Sequence, residues 1–290
     1  MINQKAIEQE LDQLKGLIIL VETYESIAGT SVRRIRSSVL ANREFHVGLN
    51  RMFREIIGAY KKEVSYVMKK KKIKGEEGKI SLIKDNGKTA LIFFSSNTGL
   101  YGDVINRTFV TFLGEIKKIN ADIVVVGRMG KVFFEEAMPG TAYAYFDFPD
   151  NAISVEHLKE ITAFLAPYEK VVAFYAVFQN LLTQQVRASI VSGAELPVEK
   201  PEEAVTPYFF EPSLEEVTVF FEKEIFGSLL EQVLQESRLA KLASRMVLLD
   251  RAIINIESAL KKGFLEGQKI HHRIANRELL DSLSGFSLWG

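Results

Sequence analysis

The chain has 290 residues, 47% of them hydrophobic and 26% charged, which is enough apolar material for one or two folded domains. Its 37 Lys and Arg balance 37 Asp and Glu, so a coat that binds polyanions in bulk is excluded and only a local basic patch stays open. The absence of cysteine removes disulfides, thiolate metal sites, iron–sulfur clusters and a cysteine nucleophile. No apolar run reaches the roughly 18–20 residues that span a bilayer. The start, Met1 to Ala6, leads into acidic residues and not into a signal-peptide core. The expectation is a soluble, cytosol-facing protein that meets a membrane only through partners.

None of the seven prolines precedes Pro139 or follows Pro212. Proline costs about 3 kcal/mol in a helix interior, so both ends of the chain are free to form long helices. Steps of four and three residues from Ile7 reach Leu11, Leu14, Ile18 and Val21, and continue to Phe53, Ile56 and Tyr60. Thirteen of the sixteen positions are apolar; the exceptions are Glu25, Asn42 and His46. This heptad spacing implies a left-handed coiled coil. It predicts an N-terminal coiled-coil segment over residues 1–66, whose helix, from about residue 3 to 66, is roughly 95 Å long at 1.5 Å per residue. Gly16, Gly29, Gly48 and Gly58 weaken it by up to about 1 kcal/mol each. A basic connector over 67–87 follows, and the stretch 61–79 that leads into it is lysine-rich.

Residues 88–192 change character. Thr89–Phe94, Ala121–Gly127, Ala142–Phe148, Lys170–Phe178 and Gln185–Val191 read as strands. Residues 102–119, Lys131–Ala137 and Ser154–Leu165 read as helices between them. Such alternation predicts a Rossmann-like α/β domain with a mostly parallel sheet, its last two strands joined as an antiparallel hairpin across Gln179–Thr183. Residues 193–212 form a Pro/Glu-rich connector. Ser213-Leu214-Glu215-Glu216 then has the form of a capping box and opens the C-terminal coiled-coil helix, residues 213–290. Along it Leu239, Leu242, Met246, Leu249, Ile253, Ile256 and Leu260 keep the 3-4 repeat. Two long apolar seams need partners, and the simplest partner of each is the other, in an antiparallel pair. Self-association through either seam is the competing arrangement.

The sequence holds no Walker A, HExxH, GxSxG or EF-hand pattern. Gly127-Arg-Met-Gly-Lys131 follows a strand, and either cradles a phosphate or simply turns the chain into a helix. Gly99-Leu-Tyr-Gly102 also follows a strand but is not GxGxxG, and nucleotide binding there stays open beside a plain turn. Lys69–Lys72 reads as a solvated linker or as a contact to RNA or a membrane surface; no aromatic platform is interleaved with it. His271 and His272 diverge by about 100° on a helix and do not chelate together. His46 and Asn42 are polar residues on the first seam, where Asn42 can set register.

Several motifs resemble the gamma subunits of F-type rotary ATP synthases. Tyr208-Phe-Phe-Glu-Pro212 resembles the family's Tyr-x-x-Glu-Pro, and Ala243-Ser-Arg-Met-Val247 its Ala-Ala-Arg-Met-Val. The terminal Asn276-Arg-Glu-Leu-Leu-Asp-Ser-Leu-Ser-Gly285 resembles Thr-x-Glu-x-x-Asp/Glu-x-x-x-Gly. Gly99-Leu-Tyr-Gly102 with Asn106 is similar to Gly-Leu-Cys-Gly with its downstream Asn, and Ile27–Arg33 to Val-Ala-Ala-Ser-Lys-Met-Arg. The chain departs from the family at Ile19–Tyr24, where Glu22 stands at a usual lysine, and so resembles a divergent member.

The resemblance implies a central rotor stalk, a non-catalytic subunit of the complex that binds no cofactor and no metal. The two terminal helices are expected to form a shaft inside a hexamer of alpha and beta subunits. The α/β domain is expected to join the epsilon subunit and the c-ring at the cytoplasmic face of the membrane. Rotation would couple proton or sodium transport to ATP synthesis or hydrolysis. His272, Asn276, Glu278 and Asp281, with Arg245 and Met246 further along the same helix, are expected at partner contacts. Two other readings compete: a nucleic-acid-binding protein with a coiled-coil arm, and a small-molecule α/β enzyme with helical extensions.

Overall fold

The computed structural model describes residues 4–60, 85–150, 153–191, 210–211 and 213–286. Lys69–Lys72, Trp289 and most of both expected connectors lie outside them. In chain order the elements are α1 (Gln4–Ala59), β1 (Thr89–Phe94), α2 (Val104–Ile116), β2 (Asp122–Val126), α3 (Arg128–Ala137), β3 (Ala144–Phe146), α4 (Val155–Leu165), β4 (Lys170–Phe178), β5 (Gln184–Ile190) and α5 (Leu214–Phe286). The fold is mixed α/β with a mostly parallel sheet and long terminal helices of 56 and 73 residues. The described part of α1 ends at Ala59, and residues 61–66 of the expected helix lie outside the described residues. At the start of α5 the Ser213 hydroxyl accepts the Glu216 N–H at 3.2 Å, the cap its sequence announces.

The described residues form two compact units, one from the N-terminus to Thr30 together with Arg245 onward, the other Ser31–Ser244. In the larger unit the sheet order is β3-β2-β1-β4-β5. The first four strands are parallel, and β5 runs antiparallel to β4. β1, β2 and β4 are continuous apolar runs because both faces of the sheet are covered. Ala90, Ile92, Phe94, Val124 and Val126 point to one face, where Ile161 and Leu165 of α4 and Leu230, Val233 and Leu234 of α5 close the core. Leu91, Phe93, Ile123 and Val125 point to the other, under Phe109 and Phe112 of α2 and Phe134 of α3. Phe93 stacks on Phe112 at 5.4 Å between ring centroids, and Phe112 meets Phe174 edge-on at 5.3 Å. Each such side chain, fully buried, contributes about 1.5–3 kcal/mol.

The same unit holds the part of α1 after Thr30, packed antiparallel on the first half of α5. Phe53 and Ile225 form a buried contact with Leu49 and Phe221 around it. Arg43 bridges to the buried Glu236. His46 and Asn42, the polar seam positions, fall in this segment: His46 Nδ1 lies 3.3 Å from Ser228 Oγ, and Asn42 Nδ2 is buried without a hydrogen-bond partner. In the smaller unit Val21 packs with Leu249 and Ile256, flanked by Leu14, Ile18, Ile253 and Leu260. There the seam is completed by glycines: a Cβ on Gly263 would stand 2.8 Å from Leu11 Cδ2, and one on Gly267 would stand 3.7 Å from Ile7 Cγ2. The two seams therefore bury each other within each unit.

Candidate partner-contact surfaces

In the smaller unit α5 carries all six residues singled out for partner contact. Arg245 and Met246 are half-buried beside α1, and the Met246 methyl lies 3.5 Å from the position of a Cβ on Gly29. His272, Asn276, Glu278 and Asp281 are exposed. At 1.5 Å per residue, Met246 and His272 stand roughly 40 Å apart along the helix, so the six are one surface strip and not one cluster. Helical spacing puts His272 and Asn276 on one side, and Glu278 and Asp281 on the other.

Gly267 faces Ile7, one turn from the first described residue of α1. Beyond that turn α5 runs on to Phe286 with no described segment of α1 beside it. On this stretch Leu279, Leu280 and Leu283 are 59%, 66% and 61% exposed. Their spacing places them within about 100° of one another around the helix, on the side away from Glu278 and Asp281. Together they form an exposed apolar stripe on this part of the helix. In the sequence the apolar repeat loosens beyond Phe264 and resumes at Ile270, Ile274 and Leu283, which announces part of this stripe; Leu279 and Leu280 carry no such signal.

Gly127-Arg-Met-Gly-Lys131 lies in the larger unit, at the end of β2. Doubly wound sheets take nucleotides at the carboxyl ends of their strands, and there this chain fills the space with its own groups. The Gly127 N–H donates to Phe146 O at 2.9 Å, the Arg128 N–H to Asn97 Oδ1 at 2.9 Å and the Met129 N–H to Ser96 O at 2.8 Å. Three of the backbone donors that a phosphate would need at this turn are thus already used. This also starts α3 at Arg128, three residues before the expected Lys131. Gly127, at φ +93°, and Gly130 are glycines because a Cβ would stand 2.9 Å from the Ser96 backbone and 2.7 Å from Ser95 Cβ. The Gly99–Gly102 turn is closed as well: Ser244 Oγ donates to Tyr101 O at 2.7 Å.

At the end of β1 the Asp150 carboxylate accepts the Asn97 and Thr98 N–H groups at 3.0 and 2.8 Å and the Thr98 hydroxyl at 2.8 Å. Lys241 of α5 reaches the same place, 2.7 Å from Ser95 O and 3.7 Å from the nearer Asp150 oxygen. Burial pushes the pKa of the neighbouring Arg238 guanidinium down, and Tyr101 and Asp150 oppose that shift. Neither Lys241 nor Asp150 stands out in the sequence; the one hint is a lone cation in the apolar run Leu239–Ala243. Among the described residues no group of three or more His, Asp or Glu is placed to hold a metal, and no helix is long and apolar enough to cross a membrane.

The family model described as ATP synthase matches residues 3–287. An ATP synthase gamma chain of Persephonella marina is 20% identical over 98% of this chain and 97% of its own length. One of Clostridium acetobutylicum is 26% identical over 93% and 97%. Among solved structures, a chain of the Tetrahymena thermophila mitochondrial ATP synthase central stalk and c-ring is similar with TM-score 0.56 and 19% identity, covering 80% of this chain and 99% of that one. A chain of the Euglena gracilis mitochondrial ATP synthase, in a structure of OSCP, F1 and c-ring, gives TM-score 0.52 at 14% identity, with 89% and 94% covered.

Proposed function

The chain belongs to the ATP synthase family, with gamma chains as its relatives, and from that premise we propose how it works as the central rotor stalk. The paired helices of the smaller unit enter a hexamer of alternating alpha and beta subunits. The larger unit joins the epsilon subunit and the c-ring, at the cytoplasmic face of the membrane. Rotation driven by proton or sodium flow then biases successive catalytic subunits toward open or closed states, because one asymmetric object touches each of them differently. The subunit makes or breaks no ATP itself.

The observation that carries this reading is the stretch of α5 beyond Gly267, where Leu279, Leu280 and Leu283 stand exposed on a helix with no described segment of α1 beside it. A collar of apolar side chains covers such a stripe without gripping it, which a turning shaft requires. His272, Asn276, Glu278 and Asp281 meet the ring around that stripe, and Arg245 and Met246 meet it further along. Reconstitution with alpha, beta, epsilon and c subunits in vesicles tests the assignment. The chain co-assembles, and Glu278→Lys lowers coupled ATPase activity about fivefold, a change of ~1 kcal/mol. Failure to assemble, or an unchanged coupled rate in the variant, counts against it.

A further inference from the structure

The sheet of the larger unit has two edges, and they differ. β3 is three residues long, whereas β5 has seven, Gln184 to Ile190, without proline or glycine. The ladder parity of β5 follows from its bonds. The Val191 N–H donates to Val171 O at 2.8 Å, so Val191 faces β4. In an antiparallel pair the facing residues alternate, so Ser189, Arg187 and Gln185 bond to β4, and Ile190, Ala188, Val186 and Gln184 turn their N–H and C=O groups outward. Arg107 of α2 fits this parity, because its guanidinium donates to Gln184 O at 3.2 Å. The outward groups of Val186, Ala188 and Ile190 have no partner among the described residues.

Beside this edge lies an open groove of about 450 Å³ between α2 and β5, lined by Asn106, Arg107, Val110, Thr111, Gln185 and Val186. Val110 is 61% exposed and Ile190 50%. Natural edge strands of this length are usually blunted or covered. A groove between a helix and a free strand edge is the geometry in which an extended peptide adds as a further strand.

We propose that β5 receives an extended segment of another subunit of the ATP synthase complex, with an apolar side chain over Val110 and a carboxylate facing Arg187. This rests on the stalk-subunit reading. Charge selects the occupant: β5 carries Arg187 and no acidic residue, while Arg107 beside it is already paired with Asp103 at 3.1 Å and leaves Arg187 to set the preference. A second copy paired edge to edge would set arginine near arginine, which is unfavourable, whereas an acidic strand is complementary.

Hydrogen exchange of the segment 184–190, compared in the isolated chain and in the reconstituted complex, tests this. The Val186, Ala188 and Ile190 amides exchange about a hundredfold more slowly on assembly, while Gln185, Arg187 and Ser189 are protected in both states. Arg187→Glu, which leaves the backbone unchanged, removes that added protection. Ala188→Pro does the same and keeps every bond to β4, since the N–H it deletes points outward. Outward amides that exchange equally fast in both states overturn the proposal. So do outward amides already protected in the isolated chain, because the edge is then covered by this chain or by its copy. A chain that does not assemble at all removes the stalk reading and this proposal together. A chain that assembles with its outward amides open removes this proposal alone.

Discussion

The Lys241 ammonium donates to the Ser95 carbonyl oxygen across 2.7 Å, tying α5 to the end of β1. A buried amine is tolerated there because the carbonyl and the Asp150 carboxylate both face it. Lys241→Met leaves that carbonyl without its donor and takes the cation from a buried carboxylate. The expected cost is about 1–3 kcal/mol. Thermal unfolding followed by circular dichroism reads it as a lowered midpoint. Lys88→Met, which removes an exposed pair with Asp122 at 3.3 Å, serves as the control and changes the midpoint little. Equal midpoints for the two variants would show that the Lys241 contact does not hold α5 in place.

Two glycine substitutions should act in opposite directions. Gly130→Ala drives a methyl against Ser95 Cβ at 2.7 Å, Val125 Cγ1 at 3.0 Å and Phe93 Cε1 at 3.1 Å, all held by the sheet. Overpacking of this kind costs about 1–3 kcal/mol. Gly16→Ala meets nothing within 4 Å on α1 and gains helix propensity, up to about 1 kcal/mol. Urea unfolding of both proteins distinguishes them, and a destabilised Gly16→Ala would mean that a partner surface already occupies that side of the helix.

The contrast between these glycines shows where sequence reasoning reaches and where it stops. Heptad steps through Ile7, Leu11, Val21 and Leu249 are local patterns, so the long helices and their seam were legible. So were the apolar runs of β1, β2 and β4, because strands buried on both faces need no alternation. The phosphate option at Gly127–Lys131 stayed open because it turns on where the backbone N–H groups go, and Asn97, which takes one of them, is 31 residues away. Lys241 and Ser95 are 146 positions apart, and no periodicity links them. The outward parity of Val186 and Ala188 depends on which β5 residue bonds first to β4, a fact of pairing and not of composition.

His46 should make stability depend on pH. Asn50 Nδ2 lies 2.7 Å from His46 Nε2 and can only donate, so Nε2 must accept and the ring is neutral. The proton then sits on Nδ1, directed at Ser228 Oγ. Burial lowers the His46 pKa below its ordinary 6.5. The unfolded chain therefore takes up a proton first as pH falls, so stability rises with pH through this window. The contribution is complete above about pH 6.5 and is lost as pH drops below that value toward the folded-state pKa. His46→Gln keeps a polar group in place and removes the titration. The wild-type midpoint should fall more than the variant's between about pH 7.5 and about pH 5.5. Parallel curves for the two proteins would mean that folding does not lower the His46 pKa.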